Sequence, residues 1–85
     1  MNNLLKQKDI SPLGKLFILH LNEVPSYIPY NCTSNEIAKM IGSTRTAVLI
    51  MLESAQINGY ITSQIKAPIR ITKLTKKALD LLNNN

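Results

Sequence analysis

Apolar residues recur along this chain first at helical spacing and then at strand spacing, and that change of period sets the predicted architecture. Leu13, Leu16, Phe17, His20, Leu21 and Val24 fall at i, i+3, i+4, i+7, i+8 and i+11, one stripe of an amphipathic helix. Ser11 supplies an N-cap and Pro12 the first helical residue, where a missing N–H costs nothing. Ile18 and Leu19 widen the stripe beyond what one small core needs, so part of this helix is a candidate subunit interface. Pro25 and Pro29 end the helix and hold an extended connector, Pro25 to Cys32, carrying Tyr27 and Tyr30. Thr33-Ser34-Asn35-Glu36 is a capping box that starts a second helix reaching Ile41. Gly42 turns the chain, and Ser43 caps a third helix running to about Asn58, with Gly59 as its left-handed C-terminal cap.

From Tyr60 onward the period drops to two. Ile61 and Ile65 alternate with Thr62, Gln64 and Lys66, and Ile69 and Ile71 alternate with Arg70 and Thr72, which predicts a hairpin around Ala67-Pro68. Thr75 caps a closing helix whose Ala78, Leu79 and Leu82 return to the core. Residues 1–10 mix Asn, Lys and Leu and read as an N-terminal arm or one loose turn; residues 83–85 read as a disordered tail. Residues 11–82 therefore form one domain, with no internal repeat and no linker.

Within it, Ala38, Gly42 and Val48 have the spacing of a helix-turn-helix. Ala38 lets two helices approach, Gly42 turns without a Cβ penalty, and Val48 lies one and a half turns into the next helix, where it packs back onto Ala38. Ile37, Ile41 and Met51 complete the apolar seam. The order helix, helix-turn-helix, hairpin, closing helix predicts a mainly α domain with a small β-hairpin wing, an α+β winged helix-turn-helix.

Composition narrows the function. Of 85 residues, 45% are hydrophobic and 18% charged, which is globular rather than disordered. The formal net charge of +5 suits an anionic partner, and no helix combines a basic face with the bulky aromatic face a membrane-surface helix needs. The longest apolar runs, Leu16–Leu19 and Ala47–Leu52, are too short to span a bilayer. A single cysteine, Cys32, forms no intramolecular disulfide and agrees with a reducing compartment; with no signal peptide visible, the expected location is cytoplasmic.

Catalytic chemistry is not expected. His20, the single histidine, lies in the apolar stripe of the first helix, and no histidine is near Cys32 in sequence to activate it. Asp9, Glu23, Glu36, Glu53 and Asp80 are scattered singly, so no cluster has metal-ligand spacing and no cofactor is predicted. No Gly-rich phosphate loop exists, and Gly14 has no assigned role. An effector pocket beside Tyr27 and Tyr30 competes with the plainer reading of both as core plugs.

The chain resembles the winged helix-turn-helix superfamily of bacterial DNA-binding proteins, which includes MarR-like and ArsR-like regulators. The resemblance rests on Thr33-Ser34-Asn35-Glu36-Ile37-Ala38, the Gly42-Ser43 turn, Asn58-Gly59-Tyr60-Ile61 entering the wing, and Ile71 to Lys77 leaving it. It implies that the leading turn of the second helix of the motif enters the major groove of duplex DNA. That turn is Ser43, Thr44, Arg45 and Thr46; Arg45 can bond guanine O6 and N7, and the threonines can reach phosphates or a thymine methyl. Between Glu53 and Asp80 there is no acid, while Lys66, Arg70, Lys73, Lys76 and Lys77 all fall there, an excess suited to phosphate neutralisation by the wing and its flank. Lys76 and Lys77 are the two most easily read as merely solvated.

One departure stands out. After Val48 most such helices continue with polar residues, whereas this chain has Leu49 and Ile50, which suit thymine methyls or a contact between two subunits. A similarly apolar stretch occurs in TubR-like centromere-binding proteins of plasmid and phage partition systems. The sequence thus predicts a homodimeric, sequence-preferring DNA-binding protein acting as a transcriptional repressor. One alternative is a centromere-binding adaptor that recruits a tubulin-like GTPase; another is a winged helix used only for protein interaction. The closing helix is too short for the long helical dimer arch of MarR-like regulators, leaving the first helix or Leu49 and Ile50 to pair subunits.

Overall fold

The computed structural model describes residues 3–25, 30–66 and 69–83, and the side chains of all these except 65–71. Its elements are a 3-10 turn (Asn3–Lys6), α1 (Pro12–Glu23), β1 (Tyr30–Asn31), α2 (Ser34–Ile41), α3 (Arg45–Ile57), β2 (Ile61–Lys66), β3 (Ile69–Leu74) and α4 (Lys76–Asn83). The result is a mainly helical α+β domain of winged helix-turn-helix layout, with one small antiparallel sheet ordered β1-β3-β2.

Local chemistry starts each helix where the sequence predicts, with one exception. Ser11 Oγ accepts from the Gly14 N–H at 3.1 Å, with Pro12 in the first turn of α1. Thr33 and Glu36 form the reciprocal capping box of α2, at 3.2 and 3.0 Å. The exception is α3, whose cap is Thr44 and not Ser43: Thr44 Oγ1 accepts from the Ala47 N–H at 3.1 Å. Ser43 still belongs to the end of α2, where its N–H donates to the Ala38 carbonyl at 2.9 Å. The new helix therefore begins one residue later.

The buried stripe of α1 is rotated from its predicted position. Gly14, Phe17, Ile18 and Leu21 face inward, while Leu16 is 48% exposed. Ile18 has no exposed surface, so it cannot meet a second subunit; Leu19 is half-buried. The helix is apolar nearly all round, so spacing alone does not choose its inner face. Gly14 does. A Cβ there would sit 2.8 Å from Ile10 Cγ1, and its absence lets the incoming segment lie against the helix.

That segment is no arm. Leu4 is wholly buried, Ile10 is 6% exposed, and both belong to the core with Phe17, Ile37, Val48, Leu52, Tyr60 and Leu82. The 3-10 turn packs against α4. In α4, Ala78 and Leu82 are buried as predicted, but Leu79 is 40% exposed.

The sheet holds two further differences. Tyr30 and Asn31, predicted as connector, pair with Thr72 and Ile71 and form a third strand too short for any alternation to betray it. In the hairpin Ile61 pairs with Leu74 and Ser63 with Thr72, which puts Thr72 on the core side at 2% exposure instead of on the polar face. Its Oγ1 has no hydrogen-bond partner among the described residues. Tyr27, Pro29, Ala67, Pro68, Asn84 and Asn85 lie outside the described residues.

Candidate nucleic-acid interface

The turn before α3 decides what that helix presents. Gly42 takes φ 67° and ψ 42°, the left-handed conformation that ends α2. Thr44 then returns to extended backbone at φ −98° and ψ 158°, and Arg45 is the first residue of α3. Ala38 and Val48 are both buried where α2 packs on α3, together with Ile37 and Met51, as the motif spacing predicts. The opposite side of the turn is open: Thr44, Arg45 and Thr46 are exposed and Ser43 is half-buried.

Two sources of positive potential meet there. The first amides of α3 carry the partial positive charge of a helix start. Arg45 adds a full charge, and no acid stands in the first turn to offset it. Among the described residues no carboxylate pairs with Arg45. The inner side of α3 is Val48, Met51, Leu52 and Ala55, so Thr46 and Ile50, one turn apart, lie on the outer side. Ile50 is 65% exposed and Leu49 half-buried. Glu53 is exposed one turn further along, which confines the cationic surface to the leading end.

The basic residues of the hairpin and its flank divide. Lys73 on β3 is exposed beside its register partner Thr62, also exposed, and Lys76 is exposed at the start of α4. Lys66 and Arg70 close β2 and open β3 in backbone, pairing with Ile69 and Ile65; their side chains lie outside the described residues.

Lys77 is engaged elsewhere. Its Nζ donates to the Asn58 carbonyl at 2.7 Å, lies 3.5 Å from Asp9 Oδ2, and sits 4.3 Å from the ring centre of Tyr60. The buried Tyr60 hydroxyl donates to Asp9 Oδ1, and Asn58 Nδ2 donates to the Asp9 carbonyl at 2.9 Å. This clasp ties residues before α1 to the end of α3 and to α4. It gives Lys77 an intramolecular role, with its side chain still 46% exposed. The Tyr60 hydroxyl, and behind it the Lys77 charge, hold the Asp9 carboxyl below its ordinary range; burial first, and Asp9 second, push the Tyr60 phenol up. Sequence reasoning missed the clasp because Asp9 lies 49 residues or more from each of its partners, with no periodic signal between them.

His20 and Tyr30 make structural contacts. His20 Nε2 lies 3.1 Å from the Tyr30 hydroxyl, and Tyr30 is 8% exposed with its ring edge-on to Phe17, the core plug the sequence predicts. Burial, with Cys32 beside it, raises the Tyr30 phenol well above its usual value. Among the described residues no three His, Cys, Asp or Glu side chains could share a metal ion, and no helix is long and apolar enough to cross a membrane. No protein-family model matches the chain, and no significant match appears among curated proteins or solved structures.

Proposed function

We propose that this chain binds double-stranded DNA as a homodimer with sequence preference, setting the leading turn of α3 in the major groove and its basic hairpin on the backbone. The observation that carries this is Arg45, exposed and without a carboxylate partner among the described residues, at the first position of the helix that follows the Gly42 turn. Arg45 reads guanine, Ile50 lies against a thymine methyl, and Lys66, Arg70, Lys73 and Lys76 neutralise phosphates. Occupying a promoter is the simplest consequence of such binding, so we assign the protein to transcriptional repression, in the winged helix-turn-helix superfamily.

The test is selection of duplexes from a random pool, followed by anisotropy titration on the selected and a scrambled site. Arg45→Ala should weaken selected-site binding by roughly 5- to 150-fold, the equivalent of about 1–3 kcal/mol, and scrambled-site binding much less. Equal loss on both makes Arg45 a phosphate clamp. No complex with any duplex in dilute buffer defeats the reading in favour of a protein-interaction module.

The exposed apolar Ile50 favours one second reading, the TubR-like centromere adaptor whose partner is a tubulin-like GTPase. Cooperative spreading along tandem sites, against filling of one isolated palindrome, separates partition from repression.

A further inference from the structure

The clasp closes over a chemically reactive pair. Asn58-Gly59 is the single Asn-Gly step of the chain. In an unfolded chain, a backbone nitrogen attacks the side-chain carbonyl of a preceding asparagine most readily when glycine supplies it. No Cβ then shields the nitrogen, and the backbone turns freely. The fold holds both residues back. The Gly59 N–H donates to the Gln56 carbonyl at 3.1 Å, and the Gly59 carbonyl accepts from Thr75 Oγ1 at 2.5 Å. The Asn58 N–H donates to the Ser54 carbonyl at 3.0 Å, the Asn58 carbonyl accepts from Lys77 Nζ at 2.7 Å, and Nδ2 donates to the Asp9 carbonyl at 2.9 Å. With Asn58 at ψ 5°, the Gly59 nitrogen eclipses the Asn58 nitrogen, whereas ring closure requires it to eclipse Cβ. Rotating that peptide plane takes the Asn58 carbonyl off Lys77 and the Gly59 N–H off Gln56.

We propose that Asn58-Gly59 is a site of spontaneous deamidation gated by the clasp of Asp9, Tyr60 and Lys77, and that its conversion permanently loosens residues 3–10. When the clasp opens, the Gly59 nitrogen loses its proton to solvent and attacks Asn58 Cγ. The N–Cγ bond forms, the Cγ–Nδ2 bond breaks, and Nδ2 leaves as ammonia, giving a cyclic imide. Water then opens the imide, at Cγ to yield aspartate or at the backbone carbonyl to yield isoaspartate. One water is consumed and one ammonia released, with no change of oxidation state. Either product sets a carboxylate against the Asp9 carbonyl where an amide donor stood, so two acceptors meet. Isoaspartate also adds a methylene to the backbone between α3 and β2, next to Tyr60. Reclosure is then opposed, and the site records the time the molecule has spent open.

The full chain, native and unfolded in urea, is incubated at neutral pH. Residue 58 is followed by peptide mapping with mass spectrometry and by an isoaspartate-specific methyltransferase. The native chain should convert at least about tenfold more slowly than the unfolded one. Lys77→Ala should speed native conversion about fivefold or more, the effect of one lost hydrogen bond of ordinary strength. Thr33→Ala, which weakens the cap of α2 instead, controls for global stability and should leave the native rate within about twofold. Equal rates in the native and unfolded chains, or no conversion in either, overturn the gated site. Acceleration by Thr33→Ala equal to that by Lys77→Ala makes whole-chain unfolding the gate and overturns the role of the clasp. Asn58→Asp supplies the aspartate product directly, and converted wild type separated from an aged sample supplies both products. Each should show faster amide hydrogen exchange at Gln7, whose N–H bonds the Leu4 carbonyl at 3.1 Å in the closed chain. Unchanged exchange at Gln7 in both overturns the loosening.

Discussion

Replacing Gly14 with alanine sets two opposed effects of known size against each other. Glycine inside a helix costs about 0.5–1 kcal/mol relative to alanine, so on propensity alone the substitution stabilises. The added Cβ, however, would stand 2.8 Å from Ile10 Cγ1 and 3.2 Å from its Cδ1. Ile10 is 6% exposed and cannot swing away without leaving the core. Overpacking of this kind costs about 1–3 kcal/mol, and full expulsion of the isoleucine would forfeit a similar amount. The steric effect wins. Gly14→Ala should destabilise by about 1 kcal/mol, or about 4–8 °C in melting temperature for a domain of this size. Urea denaturation followed by far-ultraviolet circular dichroism measures it, with a constant m-value showing that the transition is the same. The decisive arm is the Ile10→Ala background, where the obstructing atoms are gone and Gly14→Ala should become stabilising. A stabilising Gly14→Ala in the wild type, or one sign in both backgrounds, would refute the packing of residues 4–10 onto α1.

Three further outcomes follow from other sites. Thr72→Val keeps the β-branched shape and removes a buried hydroxyl without a partner, so it should stabilise by about 1 kcal/mol in the same urea assay; a loss of that size would reveal a bonded hydroxyl. Duplexes with deoxyuridine in place of thymine at the base pair facing Ile50 lack only a methyl group, and should lose affinity for the wild type but not for Ile50→Ala. Equal loss for both proteins would take Ile50 out of the groove. Melting temperature against pH should show a plateau with two limbs. Tyr60 and Tyr30 have raised folded pKa values, so the stability they confer is complete below their unfolded value of 10.0 and is lost as pH rises past it. Asp9 and Glu36 have depressed folded values, from 3.8 and 4.5, so their contribution is present above that range and is lost as pH falls below it. Tyr60→Phe should flatten the alkaline limb, and an unaltered limb would place the phenol in water.

The parts legible in the sequence are those whose signals are local. A capping box, a left-handed glycine and a 3.6-residue apolar period each act within a few residues, so α2, the Gly42 turn and α3 stand where they are predicted. Thr44 and not Ser43 caps α3, a distinction that two adjacent hydroxyl residues leave open in the sequence. The inner face of α1, the core role of Leu4 and the burial of Thr72 depend on partners distant in sequence. Residues 3–6 are too few to show a period, and a strand of two residues cannot alternate. For the interface, Arg45 and its exposure were readable from motif position, but the diversion of Lys77 to Asp9 was not.

The clasp of Asp9, Tyr60 and Lys77 brings the first and last stretches of the polypeptide to one place, with the Asn3–Lys6 turn lying on α4. The fold is in that sense nearly a closed ring. Loosening residues 3–9 should therefore be felt at once in α4 and at the end of α3, far along the sequence.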